Sequence, residues 1–316
     1  MPFSNVLVAL DFSPASLAAL RRAQALATRH GSIRLLHVVT AAPRVYGTVG
    51  TFTLLYKELA TEARARLAEL VARLRCQGFA RVEADVIEGR PTEEILAACS
   101  RHRTDVVVVG AHARSTVGRL FLGSVSEELA RRSTVPVLVV RERAEGLSAA
   151  RILVAVDHDP PSRAAARAGA ELARRLGVRL AAIHVVEWPG APSFGNSMFG
   201  YSYAAAVDVT PEVLDKERCT IAQSLEDELG EGVDLHVVVG RPEGEILRLA
   251  QPDDIVVCGT HGRGALGRLA FGSVAIKLLR RAPCPVLVVR PVEGRPDLED
   301  HAALAVASSA RRVTPR

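Results

Sequence analysis

The chain has 316 residues, 48% of them apolar and 24% charged, with 40 basic against 35 acidic side chains and a formal charge of +5. That is enough chain for two cores, while the mixed signs and an aromatic content of only 4% argue against a nucleic-acid surface or a base-stacking platform. The longest apolar runs are far below the roughly 18–20 residues of a membrane span, no basic leader precedes the first strand pattern, and the five cysteines show no CxxC spacing. The expectation is a cytoplasmic protein with reduced thiols and neither a membrane nor a nucleic-acid partner.

In chain order, VLVAL at 6–10 reads as a buried strand. A helix follows, starting at Ser13 and Pro14 and closed by Gly31. IRLLHVV at 33–39 is a second strand, a long helix covers about 54–77, and 80–89 is a third strand. Arg90 and Pro91 open a helix near 92–101, the strand DVVVVG follows at 105–110, and after a glycine-punctuated loop come a helix near 123–132 and a strand at 135–140.

The same order then repeats. Strands are expected near 151–156, 178–186, 233–239, 254–259 and 285–289, with helices near 161–176, 211–229, 242–250 and 272–281. The repeat is visible in the letters: VLVALDFSPAS at 6–16 returns as ILVAVDHDPPS at 152–162, and 110–141 returns at 259–290. Matched positions stay 146 to 149 residues apart, so a globular unit has been duplicated, with a period too long for a solenoid. Val-, Ile- and Leu-rich runs alternating with helices indicate parallel sheets covered on both faces, with a ligand crevice beyond the carboxyl ends of the strands. The expected units are 1–141 and 150–290, joined by a short charged linker and followed by a partly disordered tail at 291–316. The loops at 43–52 and 188–203 occupy equivalent places after the second strand and suit either a pocket cover or a mobile insertion.

The strongest chemical signal is in the second copy. Gly259 and Gly262 are followed after nine residues by Gly272 and Ser273. Glycines let backbone N–H groups approach a ligand, and a helix starting near Gly272 points its dipole at an anion, as phosphate binding requires. Ser273 either bonds phosphate or caps its helix. Arg263 and Arg268 lie between the glycines and suit phosphate charge or plain solvation. His261 and its counterpart His112 lack a partner at metal or catalytic spacing and read as loop-positioning residues.

On these residues the chain closely resembles the universal stress protein family, in its tandem form, over nearly all of 1–141 and 150–290. The nucleotide-binding branch of that family has GxxG, nine residues, then Gly with Ser or Thr, which Gly259, Gly262, Gly272 and Ser273 satisfy. The resemblance implies that Asp157 meets the adenosine part of a nucleotide and that backbone at Val185, after His184, positions the base. Asp11 and Val38, after His37, take those roles in the first copy. There Gly110, Gly123 and Ser124 are kept, but Ala113 replaces the second glycine, so a degenerate site is expected in the first copy and a near-complete one in the second. Ser126 stands where the second copy has Ala275, a position at which the family often supplies a further phosphate-side hydroxyl.

The fold expected is α/β: two Rossmann-like domains of the adenine nucleotide alpha hydrolase type, each a five-stranded, mainly parallel sheet in the order 3-2-1-4-5. The terminal strands of the two domains should pair as in a family homodimer, covering sheet edges, and further homo-oligomerisation is compatible with that. The function expected is a stress-response or regulatory protein binding ATP or AMP, with Mg²⁺ held through the phosphates and an unknown protein partner. No Walker A ending and no base constellation is present, so at most weak ATP hydrolysis is expected. The alternative is an interaction or structural module of the same fold that binds no nucleotide.

Overall fold

A computed structural model of the chain describes residues 3–40, 49–111, 122–142, 149–187, 210–230, 232–260 and 271–290. The first copy contains β1 (Phe3–Ala9), α1 (Pro14–Leu26), β2 (Ala27–Thr40), α2 (Val49–Cys76), β3 (Arg81–Gly89), α3 (Pro91–Arg101), β4 (Val106–Gly110), α4 (Ser124–Arg132) and β5 (Val137–Val140). The second contains β6 (Arg151–Val156), α5 (Pro160–Leu176), β7 (Arg179–Val186), α6 (Pro211–Ser224), α7 (Glu226–Leu229), β8 (Asp234–Val239), α8 (Pro242–Leu249), β9 (Asp254–Gly259), α9 (Ser273–Arg281) and β10 (Val286–Val289).

Among the described residues, the strands form one ten-stranded sheet in the order β3-β2-β1-β4-β5-β10-β9-β6-β7-β8. The two five-stranded halves are thus joined through their terminal strands into one continuous sheet. The join is the antiparallel pairing of β5 with β10, with Leu287 opposite Leu138; every other pairing is parallel. These two edge strands are buried at every residue, so unpaired they would expose both apolar side chains and a row of backbone groups. Contacts beside the seam reinforce it. Arg280 donates to Glu127 at 2.9 Å, Arg141 donates to the Leu279 carbonyl at 2.8 Å, and the Arg131 guanidinium lies 5.3 Å from the Phe271 ring centroid.

Alternation along the central strands divides the core in two. Val6, Val8 and Leu10 face the layer of α1, α2, α5 and α6, where Leu67, Leu74, Leu172 and Ile221 are buried. Leu7, Ala9, Val107 and Val109 face α3, α4, α8 and α9, packing with Ile95, Leu129, Ile246 and Leu278. Helices thus cover both faces, which is why the central strands are apolar at nearly every position.

Most elements stand within one or two residues of their expected places, but α1 stops short. Gly31 does not close it: Ala27 is already extended, with φ −71° and ψ 142°, and pairs with Phe3 on β1, so the sheet takes residues that the helical spacing had claimed. The equivalent helix α5 does end on a glycine, Gly177, at φ 63°, a left-handed conformation that glycine adopts without strain. The single helix expected over 211–229 is interrupted at Leu225. The tail at 291–316, the linker at 143–148, and the loops at 41–48 and 188–209 lie outside the described residues.

Candidate functional site

The right-handed crossovers of a parallel sheet bring the carboxyl ends of β1, β2 and β4 to one edge, and a cleft opens there in the first copy. Its volume is about 610 Å³, and its lining includes Asp11, Val38, Gly110, Gly123, Ser124 and Ser126. All six first-copy candidates therefore meet in one cavity, in the copy expected to be degenerate. Ala113 lies outside the described residues, as do His112, His261, Gly262, Arg263 and Arg268. Asp157, Val185, Gly259, Gly272 and Ser273 hold the corresponding places at the ends of β6, β7 and β9 and at the start of α9.

Each polar group has a local reason for its position. Ser13 caps α1 by accepting from the Ser16 N–H at 3.2 Å, and it donates its own hydroxyl to Asp11 Oδ1 at 2.5 Å. The Ser13 N–H also donates to that oxygen, at 3.0 Å. Asp11 is thus held by the turn that starts α1. In the second copy the turn is built differently: the Asp157 N–H donates to Ser162 Oγ at 2.8 Å, and the His158 N–H donates to Asp157 Oδ1 at 2.8 Å.

The glycines at the ends of β4 and β9 have a packing role. A methyl at Gly110 would lie 2.7 Å from the Ser16 nitrogen and 2.8 Å from the Ala15 carbonyl carbon, and one at Gly259 would lie 3.1 Å from the Pro161 carbonyl oxygen. Both strand ends are pressed against the first turn of a helix. Gly123 and Gly272 are the N-caps of α4 and α9, with no side-chain cap bond. Their own N–H groups donate inward, to Ala111 at 2.7 Å and Thr260 at 2.6 Å.

Ser273 accordingly does not cap its helix. It is the first helical residue and is exposed, as is Ser124 in α4. Ser126, in the lining of the cleft, is 1% exposed and donates to the Gly123 carbonyl at 2.9 Å. Its counterpart Ala275 is equally buried. Cys258, beside Gly259, has its thiol pushed up to about 12 by burial, so it stays protonated and inert.

The far end of each crevice is built around a histidine. His37 Nδ1 lies 2.7 Å from the Leu10 carbonyl, and His184 Nδ1 lies 3.1 Å from the Val156 carbonyl. A carbonyl only accepts, so both rings carry their proton on Nδ1. Around this common feature the copies diverge. In the first, Phe12 packs on His37 with ring centroids 4.8 Å apart, and Arg66 of α2 lies 5.3 Å from the Phe12 centroid. In the second, His158 replaces Phe12, with its ring 5.2 Å from that of His184, and Glu217 of α6 faces both imidazoles.

A model of the universal stress protein family matches residues 2–141 and again 149–290. The chain belongs to that family, with two of its domains in tandem. It is 28% identical over 305 residues to a universal stress protein of Mycolicibacterium smegmatis, covering 91% of this chain and 97% of that one. A Mycobacterium tuberculosis universal stress protein is 32% identical over 198 residues, covering 60% of this chain and 63% of its own length. Among solved structures, a universal stress protein of Archaeoglobus fulgidus superposes with a TM-score of 0.67 at 20% identity, covering 92% of this chain and 99% of that one. A Pseudomonas aeruginosa protein described as functionally unknown does so with a TM-score of 0.63 at 19% identity, covering 98% of each chain. These two likenesses concern the fold. Within the tandem universal stress protein, Phe12, Arg66, His158 and Glu217 are the crevice residues that motif spacing did not reveal.

Proposed function

We propose that the protein is an adenine-nucleotide-binding regulatory protein that takes ATP or AMP in the cleft of its first domain. The observation that supports this best is the convergence of Asp11, Val38, Gly123 and Ser124 on one cavity of about 610 Å³, a volume in the range of small-molecule sites. The two ends of the cleft are chemically different. At one, the first turn of α4 presents backbone N–H groups without a side-chain cap, a favourable place for phosphate. At the other, the cleft is walled by Leu36, Val38, Val39, Leu59 and the Phe12 ring, which suits a base. Asp11 lies between them as an acceptor for ribose hydroxyls. The intact glycine spacing of the second domain supports a second nucleotide site, with Asp157, Gly272 and Ser273 in the matching roles.

Mg²⁺ would enter on the phosphates of bound ATP. Strong hydrolysis is not expected, because positioning a water against phosphorus needs a base or water-orienting group, and Asp11 Oδ1 is already engaged by Ser13. Occupancy of the cleft would instead alter a surface read by a partner.

Equilibrium dialysis of nucleotide-stripped full-length protein with ATP tests the reading. Saturable binding should weaken at least tenfold in Val38→Trp, which places an indole in the first-domain cleft. Absence of saturable binding up to millimolar ATP would favour an interaction module, and undiminished binding by Val38→Trp would move the site elsewhere.

A further inference from the structure

We propose that His158, His184 and Glu217 form a binding site in the second domain for a zinc-like divalent transition-metal ion. The three side chains come from the turn after β6, from β7 and from α6, and their ligand atoms lie within 4.8 Å of one another. Ligands of a tetrahedral zinc with bonds of about 2.0–2.1 Å stand about 3.3 Å apart, so side-chain adjustment would open the 2.5 Å His158–Glu217 contact while drawing the more distant atoms in.

The hydrogen-bond pattern calls for positive charge at the centre of this group. His184 Nδ1 donates to the Val156 carbonyl, which leaves a lone pair on Nε2 of the neutral ring. That nitrogen nevertheless sits 3.2 Å from Glu217 Oε1, and His158 Nε2 sits 2.5 Å from the same oxygen. Two imidazole nitrogens thus converge on one carboxylate oxygen, and His184 brings its lone pair toward an acceptor. Either protons or a cation must lie between them. A neutral His158 can donate its Nε2–H to Glu217, but the His184 side chain, only 3% exposed, still turns its Nε2 lone pair toward the same oxygen. One divalent ion would take the two imidazole nitrogens and the carboxylate together, the ordinary nitrogen and oxygen donors of zinc.

The second shell is already in place. The Nδ1–H bond to the Val156 carbonyl fixes the tautomer and orientation of His184, the device that metal-ligating histidines use. The access is graded: the His158 and Glu217 side chains are 31% and 28% exposed, so an ion can arrive from solvent and meet the buried ring behind them. The first domain has the same oriented histidine, His37, but Phe12 and Arg66 stand around it. A ring without a donor and a fixed cation cannot complete a metal site, so the inference is specific to the second domain. Three protein ligands leave one tetrahedral position for water or an anionic ligand group.

The test uses tag-free, chelator-treated full-length protein and Co²⁺ as a visible probe, displaced by Zn²⁺ and followed in competition with a chromophoric chelator. Expected are one Co²⁺ per chain, visible d–d absorption displaced by Zn²⁺, and at least a tenfold loss of affinity in His158→Ala and in Glu217→Gln. Both changes are at partly exposed side chains, and circular dichroism confirms the fold; His158→Phe, which installs the first-domain residue, serves as a further folded variant. His236→Ala, at a histidine that faces Asp234 instead, should leave stoichiometry and affinity unchanged. No saturable binding at micromolar metal would leave protons alone as the bridging charge and overturn the proposal. So would binding that survives both His158→Ala and Glu217→Gln. Neither result bears on ATP binding by the first domain, which Val38→Trp reports separately.

Discussion

The two crevices share a backbone plan and differ in what surrounds one histidine. In the first domain, His37 is stacked on Phe12 with Arg66 behind it; in the second, His184 shares Glu217 with His158. The shared parts are those that the fold itself needs: the Nδ1 bond to the end of the first strand, and a glycine where a strand end meets a helix. The divergent parts are the side chains packed around that histidine, Phe12 and Arg66 against His158 and Glu217. Duplication left one scaffold in two copies, and a few substitutions give one crevice an aromatic and cationic end and the other a metal-ligating end.

The greatest loss of stability should come at Asp254, the first residue of β9, compared with Asp105, the residue just before β4. Asp254 is 1% exposed and holds Arg151 through a 2.6 Å ion pair. Its counterpart Asp105 instead accepts backbone N–H groups of Ser4 and Asn5, at 2.8 and 2.9 Å. Asp254→Ala should cost about 3 kcal/mol, because the half-buried Arg151 loses its carboxylate partner and keeps only the Leu249 carbonyl. Asp105→Ala should cost about 1–3 kcal/mol. Urea denaturation measures both, and equal losses would break the distinction.

Next is Arg22, a fully buried arginine of α1 whose three guanidinium nitrogens have no hydrogen-bond partner among the described residues. Burial lowers its pKa. The equivalent position in α5 is Ala168. Arg22→Met keeps the aliphatic stem and removes the charge, and should raise stability by about 1–3 kcal/mol. A drop in the urea midpoint would show that the charge is compensated.

Smaller still, Phe12→Ala removes both the His37 contact and the cation–π contact with Arg66. It should lower stability by about 1 kcal/mol while weakening ATP binding several-fold by dialysis. Loss of stability without any change in affinity would separate this ring from the ligand. Finally, thiol labelling should affect the native protein's stability not at all. Cys76 and Cys219, one exposed thiol in each domain, should react with an aromatic disulfide reagent, whereas Cys99, Cys258 and Cys284 are buried, with thiols pushed up to about 12. Rapid reaction of more than two thiols at neutral pH would show that the buried layer opens.

The duplication, the order of strands and helices, and the pairing of the two terminal strands were legible because they rest on long apolar runs and repeated letters. The single sheet was legible only through its parts: the register of β5 with β10 depends on two segments more than a hundred residues apart. Gly110 and Gly259 stood out for ligand approach, yet their immediate neighbours are helix backbone, because a glycine needed for packing has the same sequence signature as one needed for phosphate. Ser273 left phosphate contact and capping both open, with the first favoured, and only the position of Gly272 as N-cap removes the second. His158, His184 and Glu217 were not legible as a group. They are 26 and 33 residues apart, a separation with no fixed geometry until a parallel sheet and its crossover helix bring them together.

The central claim is that the first domain's cleft receives the nucleotide. Hydrogen–deuterium exchange of the stripped full-length protein, with and without saturating ATP, tests it most directly. Nucleotide in the cleft should slow exchange at the turn around Asp11 to Ser16, at the end of β2 around Val38, and at the first turn of α4. Unchanged exchange in all three segments, at ATP concentrations where dialysis shows saturation, would contradict it.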